Sequence, residues 1–272
     1  MTDDGSGDQG FAADRIDTSR PHPARIYDYL LGGWDNYEVD QLAGRRVIEL
    51  APDARVSVHA NRDFLHRAVR GVVGDGIRQI LDIGTGIPTS PNTHETAQAA
   101  APDTRVVYVD NDPIVATHAG AKLTSADRTG FVLADVRDPG SVIDHPRVKQ
   151  LIDFDRPVAV LLVAVLHFIE DSEDPAGIVR ALAERLVPGS RLVLTHCTVD
   201  FHHGTGDATE VYNDATAHLA VRTYDEILPF FDGFELLDPG LVQVPLWHPD
   251  GPLPDADELR RIAVYGGVGV KE

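Results

Sequence analysis

The sequence predicts an α/β protein built around a mainly parallel sheet, and three observations carry that prediction. From about residue 76, short apolar, β-branched runs alternate with amphipathic stretches, the pattern of strands and crossover helices. The first run ends in a glycine turn, LDIGTG at 81–86. Three successive runs end in aspartate: Asp82, Asp110 and Asp135.

In chain order, MTDDGSGDQG is acidic and glycine-rich and lacks the basic-then-apolar order of a signal peptide. Residues 1–19 read as a disordered tail. The next stretch, RPHPARIYDYLLGGWDNY at 20–37, gathers two prolines, a glycine pair, three tyrosines and a tryptophan. Pro21 and Pro23 keep the chain extended, and Gly32 with Gly33 can end a helix in the left-handed conformation. The spacing predicts a short helix over 24–31 with Ile26, Tyr29 and Leu30 facing inward. Arg25 and Tyr27 are then free for a ligand. Asp35 with Glu38 predicts the cap of a second helix over 36–50, with Asn36 and Tyr37 at its start. A third helix, 56–73, puts Phe64, Leu65, Ala68, Val69 and Val72 on one face. Residues 20–75 read as a helical lid or extension, and 76–272 as the ligand-binding domain.

The expected strands are 77–83, 105–110, 131–135, 158–165 and 191–196. Helices lie between them, one capped by Asn92 with Glu95, others starting at Asp112-Pro113 and Asp174-Pro175. FELLDPGLVQVPLW at 234–247, two apolar runs around Asp-Pro-Gly, and the further strand-like segment 261–270 read as an antiparallel hairpin closing a mainly parallel seven-stranded sheet.

Composition narrows the function. The longest apolar run, 158–166, has strand length and falls short of the roughly 18 residues of a membrane helix, so a soluble protein is expected. A single cysteine, Cys197, allows no internal disulfide and favours a reducing cytoplasm. With 43 acidic against 24 basic residues and a net charge of −19, neither nucleic acid nor a membrane is an expected partner. A small molecule is.

The glycine turn places such a ligand at the carboxyl end of the first strand, where Gly84 and Gly86 let the backbone pass close to it. A dinucleotide fingerprint requires a third glycine, yet position 89 is threonine, preceded by Pro88. Asp82 instead suits an ammonium group, Asp110 the two hydroxyls of a ribose and Asp135 an adenine amino group. S-adenosylmethionine carries all three, and its sulfonium suits an acidic pocket.

DIGTG, YVDND, LADVRD, VAVLLVAVLHFI and LVPGSRLVLTH resemble the successive motifs of class I S-adenosylmethionine-dependent methyltransferases. More narrowly, RPHPARIYDYLLGGWDNYEVD, HANRDFLHRAV, RPVAVLLVAVLHFI and YGGVG resemble a bacterial methyltransferase-like family once catalogued as a domain of unknown function. The resemblance runs from about residue 20 to the end. It implies a Rossmann-like fold, S-adenosyl-L-methionine as cofactor, and a lid over the methionine end of the cofactor, with Arg25 a candidate for its carboxylate. The cofactor-binding set is then Arg25, Tyr27, Asn36, Asp82, Gly84, Thr85, Gly86, Asp110, Asn111, Asp135, Val136 and Ala164. Pro88 departs from the pattern, so the loop at 87–91 is expected to bend differently.

The first ionisable residue after the fourth strand is His167, a candidate catalytic base near neutral pH. In THCTVDFHHG the spacing of His196, Cys197, His202 and His203 matches no zinc pattern, so no metal is expected and the segment reads as part of a substrate pocket. The expected function is methyl transfer to O or N of a small molecule. The alternatives are a cofactor-binding regulator without turnover and, disfavoured by the missing glycine, an NAD-dependent oxidoreductase.

Overall fold

A computed structural model of the chain describes residues 17–123, 128–201 and 205–272, so most of the expected tail lies outside the described residues. The strands are β1 (Gln79–Ile83), β2 (Arg105–Asp110), β3 (Thr129–Leu133), β4 (Ala159–Val163), β5 (Arg191–Cys197), β6 (Phe234–Leu236), β7 (Val242–Gln243) and β8 (Val264–Lys271). They form one sheet in the order 3-2-1-4-5-8-6, with β7 also on β8. The first five pair in parallel, and β8 runs antiparallel beside β5.

β1 and β4, QILDI and AVLLV, are apolar almost throughout because helices cover both faces of the sheet. The pleat sends Leu81, Val107, Leu162 and Leu194 to one core, where Ile178, Leu182 and Phe231 meet them. It sends Ile80, Tyr108, Leu161 and Val193 to the other.

The N-terminal helices are α1 (Pro23–Leu31), α2 (Glu38–Leu50) and α3 (Ala54–Gly74). α3 buries Phe64, Leu65, Ala68, Val69 and Val72 in the second core, against Ile80, Val193 and Val268. The expected boundary at 75/76 therefore cuts through a packed layer, because α3 is one of the helices that cover the sheet. Truncating Phe64 to alanine there costs about 3–5 kcal/mol by cavity formation.

α1 starts where the prolines place it, with the His22 side chain accepting from the Ala24 amide, and Gly32 ends it at φ 84°. Its buried face differs from the expected one. Arg25 and Asp28 are buried with Ile26 and Leu30, and Tyr29 is only half-buried. Ion pairing and hydrogen bonds, described below, keep the two charged side chains inside. The cap of α2 also differs: Asp40 accepts from the Tyr37 amide at 3.0 Å, while the Asp35 amide donates to Asp28.

The remaining helices include α4 (Thr93–Ala100), α5 (Pro113–Lys122), α6 (Pro139–Ile143), α7 (Pro146–Leu151), α8 (Pro175–Ala183) and α9 (Thr205–Asn213). Glu95 accepts from the Asn92 amide ahead of α4. Asp112 and Asp174 accept from the Ile114 and Gly177 amides at the starts of α5 and α8. The crossover after β3 is two short helices, since Pro146 cannot continue the turn before it.

At the C-terminus, the two arms of the expected hairpin do not pair with each other. β6 pairs with Gly269–Lys271 and β7 with Tyr265–Gly266. The turn between them, with Gly240 at φ 89°, leaves the arms apart, and the eight-residue β8 is long enough for both. The sheet thus holds eight described strands where seven were expected. No helix among the described residues is long and apolar enough to cross a membrane.

Candidate active site

Strand order reverses at β1, which lies between β2 and β4, and ligands of open α/β sheets bind in the crevice at such a point. A cavity of about 350 Å³ opens there. Its walls include Asp82, Gly84, Thr85, Gly86, Asp110, Asn111, Asp135, Val136 and Ala164 from the strand ends, with Arg25 and Tyr27 from α1.

The two glycines act differently. Gly84 has φ 71° and donates its N–H to the Val109 carbonyl at 2.7 Å, and a Cβ on it would collide with Val165. Gly86 has φ 67°, and a Cβ there would meet no protein atom within 4 Å. Gly86 thus leaves space beside the chain that a ligand can fill.

Asp110 accepts from the Gly86 amide at 2.8 Å with one oxygen and from the Asp112 amide at 2.9 Å with the other. Burial still dominates and pushes its carboxyl up to about 6. Asp82 accepts from Thr93 Oγ1 at 2.6 Å, and burial pushes it up to about 6 as well. Asp135 goes the other way. Burial would raise it, but the Arg137 amide and guanidinium and the Asn111 side chain together hold it below the usual carboxylate range. Three acceptors in a row line the rim, two of them costly to keep charged without a cationic or hydrogen-bonding ligand.

Three expected cofactor residues stand elsewhere or are differently engaged. Tyr27 walls the cavity but its hydroxyl is not free, since it donates to the Val58 carbonyl and accepts from the Asn61 amide. Asn36 is not in the cavity wall: it donates to Asp28 at 2.7 Å and to the Gly33 carbonyl, and accepts from Gln41. The polar turn between α1 and α2 consumes its hydrogen bonds. Arg25 does line the cavity, but it is not free. Its guanidinium pairs with Asp112 at 3.1 Å and Asp40 at 3.5 Å, all three side chains buried.

A second cavity of about 220 Å³ adjoins the first and shares Pro23, Tyr27, Asn61, Ala164 and Phe168 with it. Leu30, Val47, Tyr212, Leu219 and Val221 make most of its wall apolar. Ala164, just past β4, holds a left-handed φ of 61° at this junction and donates its N–H to Thr195 Oγ1 at 2.9 Å. Such a conformation costs a non-glycine residue about 1 kcal/mol or more.

His167 borders the second cavity on a single 3₁₀ turn, Leu166–Phe168. Its Nδ1 accepts from the Cys197 amide at 3.3 Å. Burial, then His196 and Arg222, push its pKa well below the ordinary histidine value. The ring is therefore neutral, and the proton sits on Nε2. Nε2 is a hydrogen-bond donor, and the lone pair that a base needs is already engaged. Burial pushes the neighbouring Cys197 thiol up to about 12, so it is no nucleophile either.

His196 receives the Arg222 guanidinium at 2.8 Å through Nε2. His202 and His203 lie outside the described residues. Among the described residues, no group of three or more His, Cys, Asp or Glu side chains is arranged to hold a metal ion.

Sequence reasoning missed His22, Asn61, Arg62, Asp112 and Phe168, which also line the first cavity. Asn61 carries a readable signal, as a polar residue on the stripe that continues through Phe64, Leu65 and Ala68. Arg62 donates to the carbonyls of Thr89 and Pro91. It holds the 87–91 loop in which the third glycine is missing.

The comparisons agree with this geometry. The model of a family described as S-adenosyl methyltransferase matches residues 9–272. A DUF574 family protein of Streptomyces avermitilis MA-4680 is 46% identical, with 95% of this chain and 100% of that one covered and a TM-score of 0.91. A protein of Thermobifida fusca YX, described as a candidate methyltransferase, is 39% identical over 94% of this chain and 97% of that one, with a TM-score of 0.89. An O-methyltransferase family protein of Burkholderia thailandensis shares the fold, with 16% identity over 91% of this chain and 71% of that one and a TM-score of 0.51. Among curated proteins, none matches.

Proposed function

The chain belongs to the S-adenosyl methyltransferase family, and from that premise we propose that it methylates an oxygen or nitrogen of a small, largely apolar molecule held in the second cavity. Membership makes it an S-adenosylmethionine-dependent methyltransferase and removes the oxidoreductase alternative. The acceptor is the part we infer.

The first cavity fits the cofactor. Gly86 leaves an open cradle, and buried Asp82 and Asp110 have room in their preference for a cation and for hydroxyl donors. In this reading Asp110 takes the ribose, Asp82 the ammonium group, and Asn111, Asp135 and Val136 the adenine end. Pro23, Arg25 and Tyr27 of the opening stretch wall the cavity, which supports its role as a lid over the methionine end. Arg25 would act through its ion pairs and not as a free carboxylate clamp.

When bound, S-adenosylmethionine supplies a methyl carbon that an acceptor lone pair can attack as the bond to sulfur breaks. The chain contributes orientation. The single observation that carries the proposal is the meeting of the two cavities at Tyr27, Asn61, Ala164 and Phe168. An acceptor in the apolar cavity presents its polar end at that junction, and fixing two reactants this way is a large share of what such a transfer needs. With His167 donating and Cys197 protonated, neither serves as a base, and the acceptor's proton passes to water.

The test is incubation of the protein with S-adenosylmethionine labelled in its methyl group and a panel of phenols, alcohols and amines, with mass spectrometry of the products. A methylated O or N product is expected. Tight binding of S-adenosylhomocysteine with no transfer to any of them would instead favour a regulator that binds the cofactor without turnover.

A further inference from the structure

Asn61 lies on α3 with 2% of its surface exposed, in the wall common to both cavities. Its neighbour fixes how its amide is turned. The Tyr27 hydroxyl has one proton and donates it to the Val58 carbonyl at 3.1 Å, a group that can only accept. The phenol oxygen must then accept from Asn61, at 2.9 Å, which puts Nδ2 at Tyr27 and leaves Oδ1 for another partner. Burial pushes the Tyr27 phenol up to about 12, so this donor order holds across the physiological range.

Asn61 Oδ1 is buried, and no donor among the described residues reaches it. A buried amide oxygen without a donor costs about 1–3 kcal/mol, and native proteins leave few such groups unmet. The rest of the hydrogen-bond chain is complete, and Asn61 stands between two cavities that a ligand can fill. We propose that Asn61 Oδ1 accepts a hydrogen bond from the O–H or N–H group to be methylated, and so selects an acceptor with a neutral hydroxyl or amine at one end of an apolar body. This rests on the methyltransferase reading above.

The alternative donor is the ammonium group of the cofactor. Asp82 answers that need better, since it is a carboxylate and borders the first cavity alone, whereas Asn61 borders both. The apolar body follows from Leu30, Val47, Leu219 and Val221 beyond the junction. A carboxylate or thiolate acceptor offers no proton and leaves Oδ1 facing a negative charge, so such molecules are rejected. An amide takes up no proton, which makes Asn61 a positioning residue with specificity as its output.

The experiment uses calorimetry on the full chain saturated with S-adenosylhomocysteine, with phenol and aniline as donors and anisole and toluene as matched non-donors. Phenol and aniline are expected to bind about tenfold more tightly than their partners, the difference that one hydrogen bond to an otherwise unpaired buried group makes. In an Asn61→Leu chain that still binds S-adenosylhomocysteine the preference falls to near unity. Tyr27→Phe, which frees the amide to rotate, reduces the preference in a chain with Asn61 intact and serves if the leucine variant does not fold. An unchanged preference in either folded variant overturns the proposal. So does a loss of S-adenosylhomocysteine affinity with the preference retained, which would assign Asn61 to the cofactor. Failure of the wild-type chain to bind S-adenosylhomocysteine at all would be a different result, and would remove the underlying methyltransferase reading.

Discussion

The Gly86 amide donates to Asp110 Oδ2 at 2.8 Å, which ties the glycine turn after β1 to the end of β2. The carboxylate therefore shapes the turn as well as offering itself to a ligand. Asp110→Ala removes the bonds to the Gly86 and Asp112 amides and those expected to the ribose, charge-assisted bonds of about 1.5–3 kcal/mol each. Affinity for S-adenosylhomocysteine should fall by about a hundredfold or more, measured by calorimetry on a variant whose circular dichroism shows it folded. An unchanged dissociation constant would take Asp110 out of the site.

Gly84 and Gly86 should separate under substitution. Both hold a positive φ, so alanine strains either by about 1–2 kcal/mol. Only at Gly84 does the new methyl collide with Val165 in the core. Gly84→Ala is expected to lower the melting temperature more, while Gly86→Val folds and loses ligand binding because its side chain occupies the open cradle. A Gly86→Val protein that binds S-adenosylhomocysteine normally would show that the turn does not touch ligand.

Burial pushes Asp82 and Asp110 up to about 6, against about 4 in an unfolded chain. Between those values the folded state holds protons that the unfolded state has lost, so their contribution to stability falls as pH rises from 4 to 6 and stays low above. Asp82→Asn lacks this loss. Its melting temperature relative to wild type should rise between pH 4.5 and 7. Ligand binding runs oppositely, because an ammonium group favours the ionised carboxylate: affinity for S-adenosylhomocysteine should be flat above pH 7 and weaken below 6. A pH-independent constant between 5 and 8 would contradict it.

Most of the sheet was legible because both-face burial leaves unbroken apolar runs, and the strand-end aspartates stood out at their ends. Asp112-Pro113 and Asn92 with Glu95 marked helix starts through local chemistry alone. The errors lie where partners are distant in sequence. Helical spacing put Arg25 on a free face, but Asp112, 87 residues away, pulls its guanidinium inward. The arms at 234–236 and 242–243 looked like partners because they are neighbours, yet β8 outcompetes each for the other. His167 was legible as a site-adjacent residue, while its tautomer was not, since the Cys197 amide that fixes it comes from the next strand.

That tautomer gives a fourth prediction. With Nδ1 accepting from Cys197 and the ring held neutral by burial, the Nε2–H form should persist from pH 5 to 8. Nitrogen-15 chemical shifts of the His167 ring read this directly. A ring that titrates in this interval, or one protonated at Nδ1, would restore His167 as a base. His167→Gln should retain some function, because its amide N–H₂ can replace the lost donor, whereas His167→Leu should not.

The last prediction concerns α1 and whether it opens. Arg25 joins α1 to Asp112 at the start of α5 and to Asp40 of α2, and all three side chains are buried. Breaking one partner from such a set costs about 3–5 kcal/mol when the others stay buried, but swinging α1 outward exposes all three to water together and avoids most of that cost. An ion pair of this kind suits a cover that is either fully shut or fully open. Amide exchange over 24–37 should therefore be faster than in β4 without ligand, and slow by about tenfold or more when S-adenosylhomocysteine fills the cavity that α1 walls. In Arg25→Met, where Asp40 and Asp112 lose the guanidinium between them, exchange should stay fast in either condition. Exchange over 24–37 that is already as slow as in β4, and indifferent to ligand, would mean that the stretch is fixed core packing and that the cofactor enters by another route.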